Sequence, residues 1–408
     1  MPTPLRRSSA LAALSVLAVA ALAGCGSSED KGDDTSATSK GSGASQVNVT
    51  LASGGGGDEC QVDTKELAAG PVTFTVKNES ATGITEVELL SGQRILGEKE
   101  NLAPGLPEVH FTVTLGGGDY EIYCPNAATE KTPIKVTGEA SASPTGSAAQ
   151  QLAQGVTEYT QYVNLQVDNM VTAVRNLQKA VDAGDLAKAQ QAYGEARPFY
   201  EKIESDVEGF VLPGFDATDN HGNLDYLIDM RASNLDPAVG WHGFHAVERD
   251  LFGRKQITAS TKRLAAELTT NVTKLAKVAK TLKLKPEDLA NGAAGLLEEV
   301  QANKISGEEE AFSHIDLVDF ANNVEGAQQA FEALRAGLTE IDPTLTETIS
   351  KRFQAVTSML EDYKDPNAIG GYKTYTPQLK KTDANKLSQT VQALQDPLSR
   401  LAEKVATA

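Results

Sequence analysis

His245 and Glu248, three residues apart, are the pair whose types and spacing first suggest chemistry in this chain. On a helix that spacing sets an imidazole and a carboxylate on one face, about one turn apart. Helical proteins use this arrangement to aim a mixed nitrogen and oxygen pair at one metal ion. Alone, such a pair is more often a surface ion pair, so the rest of the chain has to supply further ligands. Glu201 and Glu204 are again three apart and lie just beyond Pro198, whose ring should kink a helix and splay them into a cavity. The acidic loop Phe215–Asp219 offers Asp216. Glu298-Glu299 and the run Glu308-Glu309-Glu310, followed by His314 and Asp316, form a third acidic stretch. A carboxylate-rich pocket with one imidazole favours a transition metal over calcium or magnesium. Iron suits that mixture, and copper or zinc would compete for it.

These side chains need helices to position them. The stretch from Asp236 to Gly253 reads as one short helix, with Asp236 as N-cap, Pro237 in the first turn and Gly253 closing it in a left-handed conformation. Trp241 and Phe244 read as packing that holds this helix, and His242 is left outside the site. Apolar residues recur at three- and four-residue steps from Leu152 to Val181, marking a long amphipathic helix. A second helix, capped by Asp185, should run to about Val207. Further helices are expected from about 260 to 282, 286 to 303, 316 to 338, 343 to 363 and 382 to 406. Residues 151–408 therefore form an all-α bundle.

Residues 46–137 read differently. Gln46–Leu51, Pro71–Val76, Val109–Thr114 and Tyr120–Tyr123 alternate polar and apolar residues, with Gly, Asn and Pro between them, the pattern of a small β-sandwich. A blue-copper centre needs two histidines, a cysteine and usually a methionine; this region has only His110 and no methionine. Cys60 and Cys124 can pair as a disulfide, or serve as thiolate ligands joined by Glu86 or Glu88. Residues 138–150 form a linker by composition.

The first 24 residues read as a targeting segment, with Arg6-Arg7 before an apolar stretch too short for a comfortable membrane span. Leu22-Ala23-Gly24-Cys25 is a lipobox that would place a lipid on Cys25. Residues 25–45 then make a flexible tether. The net charge of −18, from 55 acidic and 37 basic residues, excludes a nucleic-acid role, which needs basic patches.

Gly243-Phe244-His245-Ala246-Val247-Glu248 is similar to the His-x-x-Glu signature of imelysin-like proteins. Asn291–Val300, Lys304–Glu309 and Ser313–Leu317 resemble the long specific segment of the EfeO family, extracytoplasmic components of EfeUOB iron-uptake systems. The resemblance implies a multidomain β plus all-α protein, with a cupredoxin-like domain followed by an imelysin-type helical domain. It implies metal ligands at His245, Glu248, Glu201, Glu204 and Asp216. It also implies a second, β-domain site involving Cys60, Cys124, Glu86 and Glu88. An EfeU-type iron permease and an EfeB-type haem peroxidase are the implied partners. The lipobox departs from soluble periplasmic members and predicts a membrane-tethered form. The competing expectation, a metallopeptidase, lacks support in the motif: there is no His-Glu-x-x-His, and Arg249 after Glu248 rules out the inverted form.

Overall fold

The computed structural model describes residues 43–139 and 145–408. The expected leader and lipidated Cys25, with nearly all of the tether, lie outside the described residues.

The alternating segments become strands, packed as two sheets. The strands are β1 (Ser45–Gly54), β2 (Gly57–Val62), β3 (Glu66–Ala68), β4 (Gly70–Asn78), β5 (Val87–Ser91), β6 (Arg94–Lys99), β7 (Val109–Leu115), β8 (Gly118–Tyr123) and β9 (Lys131–Thr137). One sheet has the order β2-β1-β4-β7 and the other β3-β9-β8-β5-β6. The period-2 pattern sends Val47, Val49 and Leu51 inward from β1. Phe74 and Phe111, paired in register across β4 and β7, stack with ring centroids 5.0 Å apart. Cys60 on β2 and Cys124 just after β8 form a disulfide that joins the two sheets.

The helical part consists of α1 (Ser147–Ala183), α2 (Leu186–Glu201), α3 (Glu204–Val207), α4 (Leu224–Asp229), α5 (Gly243–Glu248), α6 (Ala259–Ala279), α7 (Pro286–Glu299), α8 (Asp316–Ile341), α9 (Pro343–Glu361), α10 (Pro377–Leu398) and α11 (Leu401–Ala406). The first helix begins inside the stretch expected to be a linker. Its stripe of Tyr159, Val163, Val167, Met170, Val174 and Leu177 is buried against α2, α6 and α8. Two helices end in a π-helical turn, α5 through Arg249–Gly253 and α7 through Val300–Lys304. Wide turns of this kind cluster at functional sites, and both flank the acidic cluster described below. Among the described residues no helix is long and apolar enough to cross a membrane.

Three local expectations change. Asp185 caps α2 as expected, accepting from the Lys188 amide at 3.1 Å. That helix carries Pro198 inside it and breaks only at Lys202–Ile203, where Ile203 leaves helical geometry (φ −136°, ψ 8°). Glu201 therefore ends one helix and Glu204 begins the next, so they do not share a helix face. The stretch Asp236–Gly240 is a turn closed by Gly240 N–H donating to Asp236 O at 2.9 Å, and the helix starts only at Gly243. Gly240 and Gly243 adopt positive φ (88° and 78°), which interrupts the helix expected across them. The left-handed residue beyond this helix is Lys255 (φ 52°), not Gly253.

The sandwich docks on the bundle through specific contacts. Asn291 of α7 donates through Nδ2 to Thr112 O at 2.6 Å and accepts from Thr112 N–H at 3.3 Å, meeting the exposed edge of β7 as another strand would. Lys99 pairs with Glu298 at 2.7 Å. The contact is thus made by polar groups as well as by α11 packing on β7.

Candidate metal centre

The motif helix α5 is anchored before it begins. Gly243 passes so close to the Ile228 carbonyl that any Cβ would collide with it. This contact sets α5 against α4 and brings Asp229, the last residue of α4, beside the motif. Trp241 Nε1 donates to Met230 O at 2.8 Å, and the Arg249 guanidinium lies 4.9 Å from the indole centroid. The packing role expected for Trp241 is therefore joined by a specific hydrogen bond.

His245 is fully enclosed, with carboxylates at both ring nitrogens. Nε2 lies 3.3 Å from Glu309 Oε1 and 3.5 Å from Asp229 Oδ1; Nδ1 lies 3.3 Å from Glu248 Oε2. Glu248 is itself clamped: its Oε1 accepts the backbone N–H groups of Phe312 and Ser313, each at 2.7 Å. Glu309, Glu310 and the two clamping amides all come from the loop between Lys304 and α8. Glu310 accepts from the Tyr193 hydroxyl at 2.8 Å and from Ser313 Oγ. Two groups of three potential ligands share the imidazole: Asp229, His245 and Glu309 on one side, His245, Glu248 and Glu310 on the other.

Internal cations balance this charge. Arg197 on α2 is completely buried; it pairs with Glu201 and Asp229, and contacts Glu309 at 3.2 Å, Glu310 at 3.0 Å and Asp319 at 3.1 Å. Lys304 lies 3.4 Å from Glu201 and 3.2 Å from Glu309. Arg231 pairs with Glu299 at 3.0 Å and reaches Glu309 at 3.5 Å.

The proton affinities follow from this packing. Burial works against the imidazolium of His245, but Asp229, Glu248 and Glu309 outweigh it and hold its pKa well above the usual range. Burial also penalises ionised Glu309, yet Lys304, His245 and Arg231 keep its pKa well below normal. Glu310 is driven well above the carboxylate range by burial and by its neighbours Glu248 and Asp319. Burial lifts Glu201 to about 7, with Arg197 and Lys304 pulling against it.

A cavity lies beside this cluster. Asp229 and Glu204 help line this cavity of about 670 Å³ between the sandwich and the bundle. Across it stand Glu86, Glu88 and Glu98, close enough to hold one ion together. Strand pairing creates that group, because Glu88 on β5 lies directly opposite Glu98 on β6. Glu88 is nine-tenths buried, and its Oε2 has no hydrogen-bond partner among the described residues. Burial and the charge of Glu86 raise its pKa to about 10.

The structure therefore brings His245, Glu248, Glu201 and Glu204 into one buried cluster. It leaves Asp216 on an exposed loop outside every potential ligand group. The neighbouring Asp219 accepts from the His221 N–H at 3.0 Å, ordinary turn chemistry. The acidic position by the histidine belongs instead to Asp229. In the β-domain the disulfide removes Cys60 and Cys124 as thiolates, and Glu98 joins Glu86 and Glu88 in their place. His314 contributes backbone only: its amide donates to Glu310 O at 2.9 Å from a left-handed conformation (φ 57°). Sequence reasoning missed Arg197, Asp229, Lys304, Asp319 and Glu98. The available signal for Asp229 was a carboxylate one helical turn after Asp225, ending the apolar run Tyr226–Ile228. For Arg197 it was a guanidinium one turn before Glu201.

Comparison with known proteins agrees with this architecture. The family model described as Imelysin (Peptidase_M75) matches residues 155–401. The chain is 34% identical over 365 residues to the iron uptake system component EfeO of Escherichia coli strain K12, covering 88% of this chain and 90% of that protein. The same identity and coverage hold for the proteins of that name from Shigella flexneri and Escherichia coli O157:H7. With a β-sandwich ahead of the matched helical region and similarity that spans both, the chain belongs to the imelysin family and, within it, to the EfeO proteins.

Proposed function

We propose that this protein is a lipid-anchored, extracytoplasmic iron-binding protein that captures iron and delivers it to an EfeU-type permease, with an EfeB-type haem peroxidase as partner. The observation that carries the reading is the buried imidazole of His245 between Asp229 and Glu309 on one side and the clamped Glu248 on the other. One ring nitrogen faces potential ligands next to the cavity, while the second bonds a carboxylate that fixes the ring. Metal-binding histidines are commonly held this way. His245, Asp229 and Glu309 would take the cation, Glu248 would orient the ring, and Glu201 and Glu204 would line its surroundings. A mixed nitrogen and oxygen set suits iron and also admits copper or zinc.

Glu86, Glu88 and Glu98 on the cupredoxin-like sandwich form the proposed second cation site, facing the same cavity. The lipobox at Cys25 supports tethering to a membrane, and the name carried by the relatives supports the role in iron uptake. The role is binding rather than catalysis. A peptidase would need Glu248 free as a general base, whereas two backbone amides and His245 occupy its carboxylate.

Trp241, the only tryptophan, packs with Phe312, whose amide clamps Glu248; the ring centroids are 6.1 Å apart. Its fluorescence can report occupancy. Titrating the metal-free mature protein with iron, copper and zinc beside His245→Ala tests the reading. The variant is expected to bind one iron ion fewer at saturation, the Glu86, Glu88 and Glu98 group keeping its own; iron binding unchanged by the substitution would refute the site.

A further inference from the structure

Lys304 ends the π-helical turn after α7, and its side chain is fully buried. Its ammonium lies 3.2 Å from Glu309 Oε2, 3.4 Å from Glu201 Oε2, 3.6 Å from Glu299 Oε2 and 3.8 Å from Glu204 Oε2. None of these contacts has hydrogen-bond geometry: Nζ and Glu201 Oε2 are both buried without a hydrogen-bond partner among the described residues. The ammonium is held by the field of its neighbours rather than by directional bonds. Arg197 differs, since its guanidinium donates directly to Asp229, Glu201, Asp319 and Glu309 Oε1 and so fixes their orientation.

Glu309 couples this ammonium to the histidine. Its Oε1 faces His245 Nε2 at 3.3 Å while its Oε2 faces Lys304. A cation bound beside Nε2 would share that carboxylate with a fixed positive charge. In a water-excluded site two like charges so placed repel strongly. We propose that Lys304 is a resident competing cation, which weakens metal capture at His245 enough for the cargo to leave again. This inference rests on the reading of His245 as a cation ligand. It assigns to Lys304 the loose hold that a delivery protein needs.

The test uses the full mature chain and zinc as a redox-inert probe, with affinity read by calorimetry and release by Trp241 fluorescence. Lys304→Met and Lys304→Gln both remove the charge; the glutamine amide can still donate to the surrounding carboxylates if the methionine variant folds poorly. The expected result is zinc binding about tenfold or more tighter in both, slower release, and return to wild-type affinity in Lys304→Arg. A purely structural role would make affinity follow shape and hydrogen bonding instead. A folded Lys304→Gln protein that binds zinc no more tightly than Lys304→Arg overturns the proposal. A zinc stoichiometry unchanged in His245→Ala refutes the underlying site instead, so the two failures are distinguishable.

Discussion

His245 Nε2 lies 3.3 Å from Glu309 Oε1, although the two residues are 64 positions apart in the chain. The motif helix supplies the ring, and a distant acidic loop supplies both that carboxylate and the two amides that lock Glu248 behind the ring. The candidate centre is therefore a joint product of α4, α5 and the loop before α8.

Substitutions can separate the true neighbours of His245 from the merely acidic. Asp229→Asn and Glu309→Gln should each weaken metal binding roughly tenfold to a hundredfold, whereas Asp216→Ala should leave it unchanged, because that side chain sits on an exposed loop. Metal titration of the three variants side by side decides it. Equal losses in all three would return Asp216 to the site.

The metal-free protein should lose stability as pH rises. Burial lifts Asp225 to about 6, Glu201 to about 7 and Glu88 to about 10. Each folded-state value stands above its unfolded one, so these groups support folding below their ordinary range and withdraw that support as pH climbs through the raised values. His245, also raised, acts in the same direction above its ordinary value. Glu309 is lowered, and its contribution is lost only in acid. The expected outcome is a Tm that falls between about pH 5 and 9. Added zinc should recover it most at the alkaline end. A Tm that stays flat or rises over that interval, measured without metal, contradicts this account.

Breaking the disulfide should cost stability without removing a ligand. Cys60 and Cys124 are 64 residues apart, and a loop of that size predicts a loss of about 4 kcal/mol from the sandwich. Denaturant unfolding of Cys60→Ser beside wild type measures the loss. The number of metal ions bound at saturation should not change. A variant that binds one ion fewer would mean that sulfur takes part in the β-domain site.

Gly243→Ala should disturb the centre from its edge. A methyl group at this position meets the Ile228 carbonyl on a backbone already at positive φ. A destabilisation of about 2–3 kcal/mol is expected, together with weaker metal binding, since α5 must shift away from Asp229. Thermal unfolding and a zinc titration on the same sample check both parts.

Much of the fold was legible along the chain. Alternation exposed β1, β4, β7 and β8, and the spacing of apolar residues exposed the long helices, because both signals are local and repeat. The histidine and glutamate of the motif could also be read, since three residues on a helix make neighbours without outside help. Turn geometry was harder: the close approach of Gly243 to Ile228 shortened the expected helix, and no local pattern announces a contact made across the fold. Charge partners were hardest. Asp216 and Asp229 are both aspartates near the same helices, and only packing puts one in solvent and the other against His245. Glu98 becomes a potential ligand only when strand register sets it opposite Glu88. By itself the sequence determined the order of a β-sandwich and a helical bundle, the paired motif residues and the family. The tertiary structure alone decided which carboxylates surround the imidazole, that the two cysteines join the sheets, and that Arg197 and Lys304 lie among the acids. The reason is physical: a buried charge is tolerated only where folding brings its counter-charge within a few ångströms, and partners from separate elements leave no periodic trace in the chain.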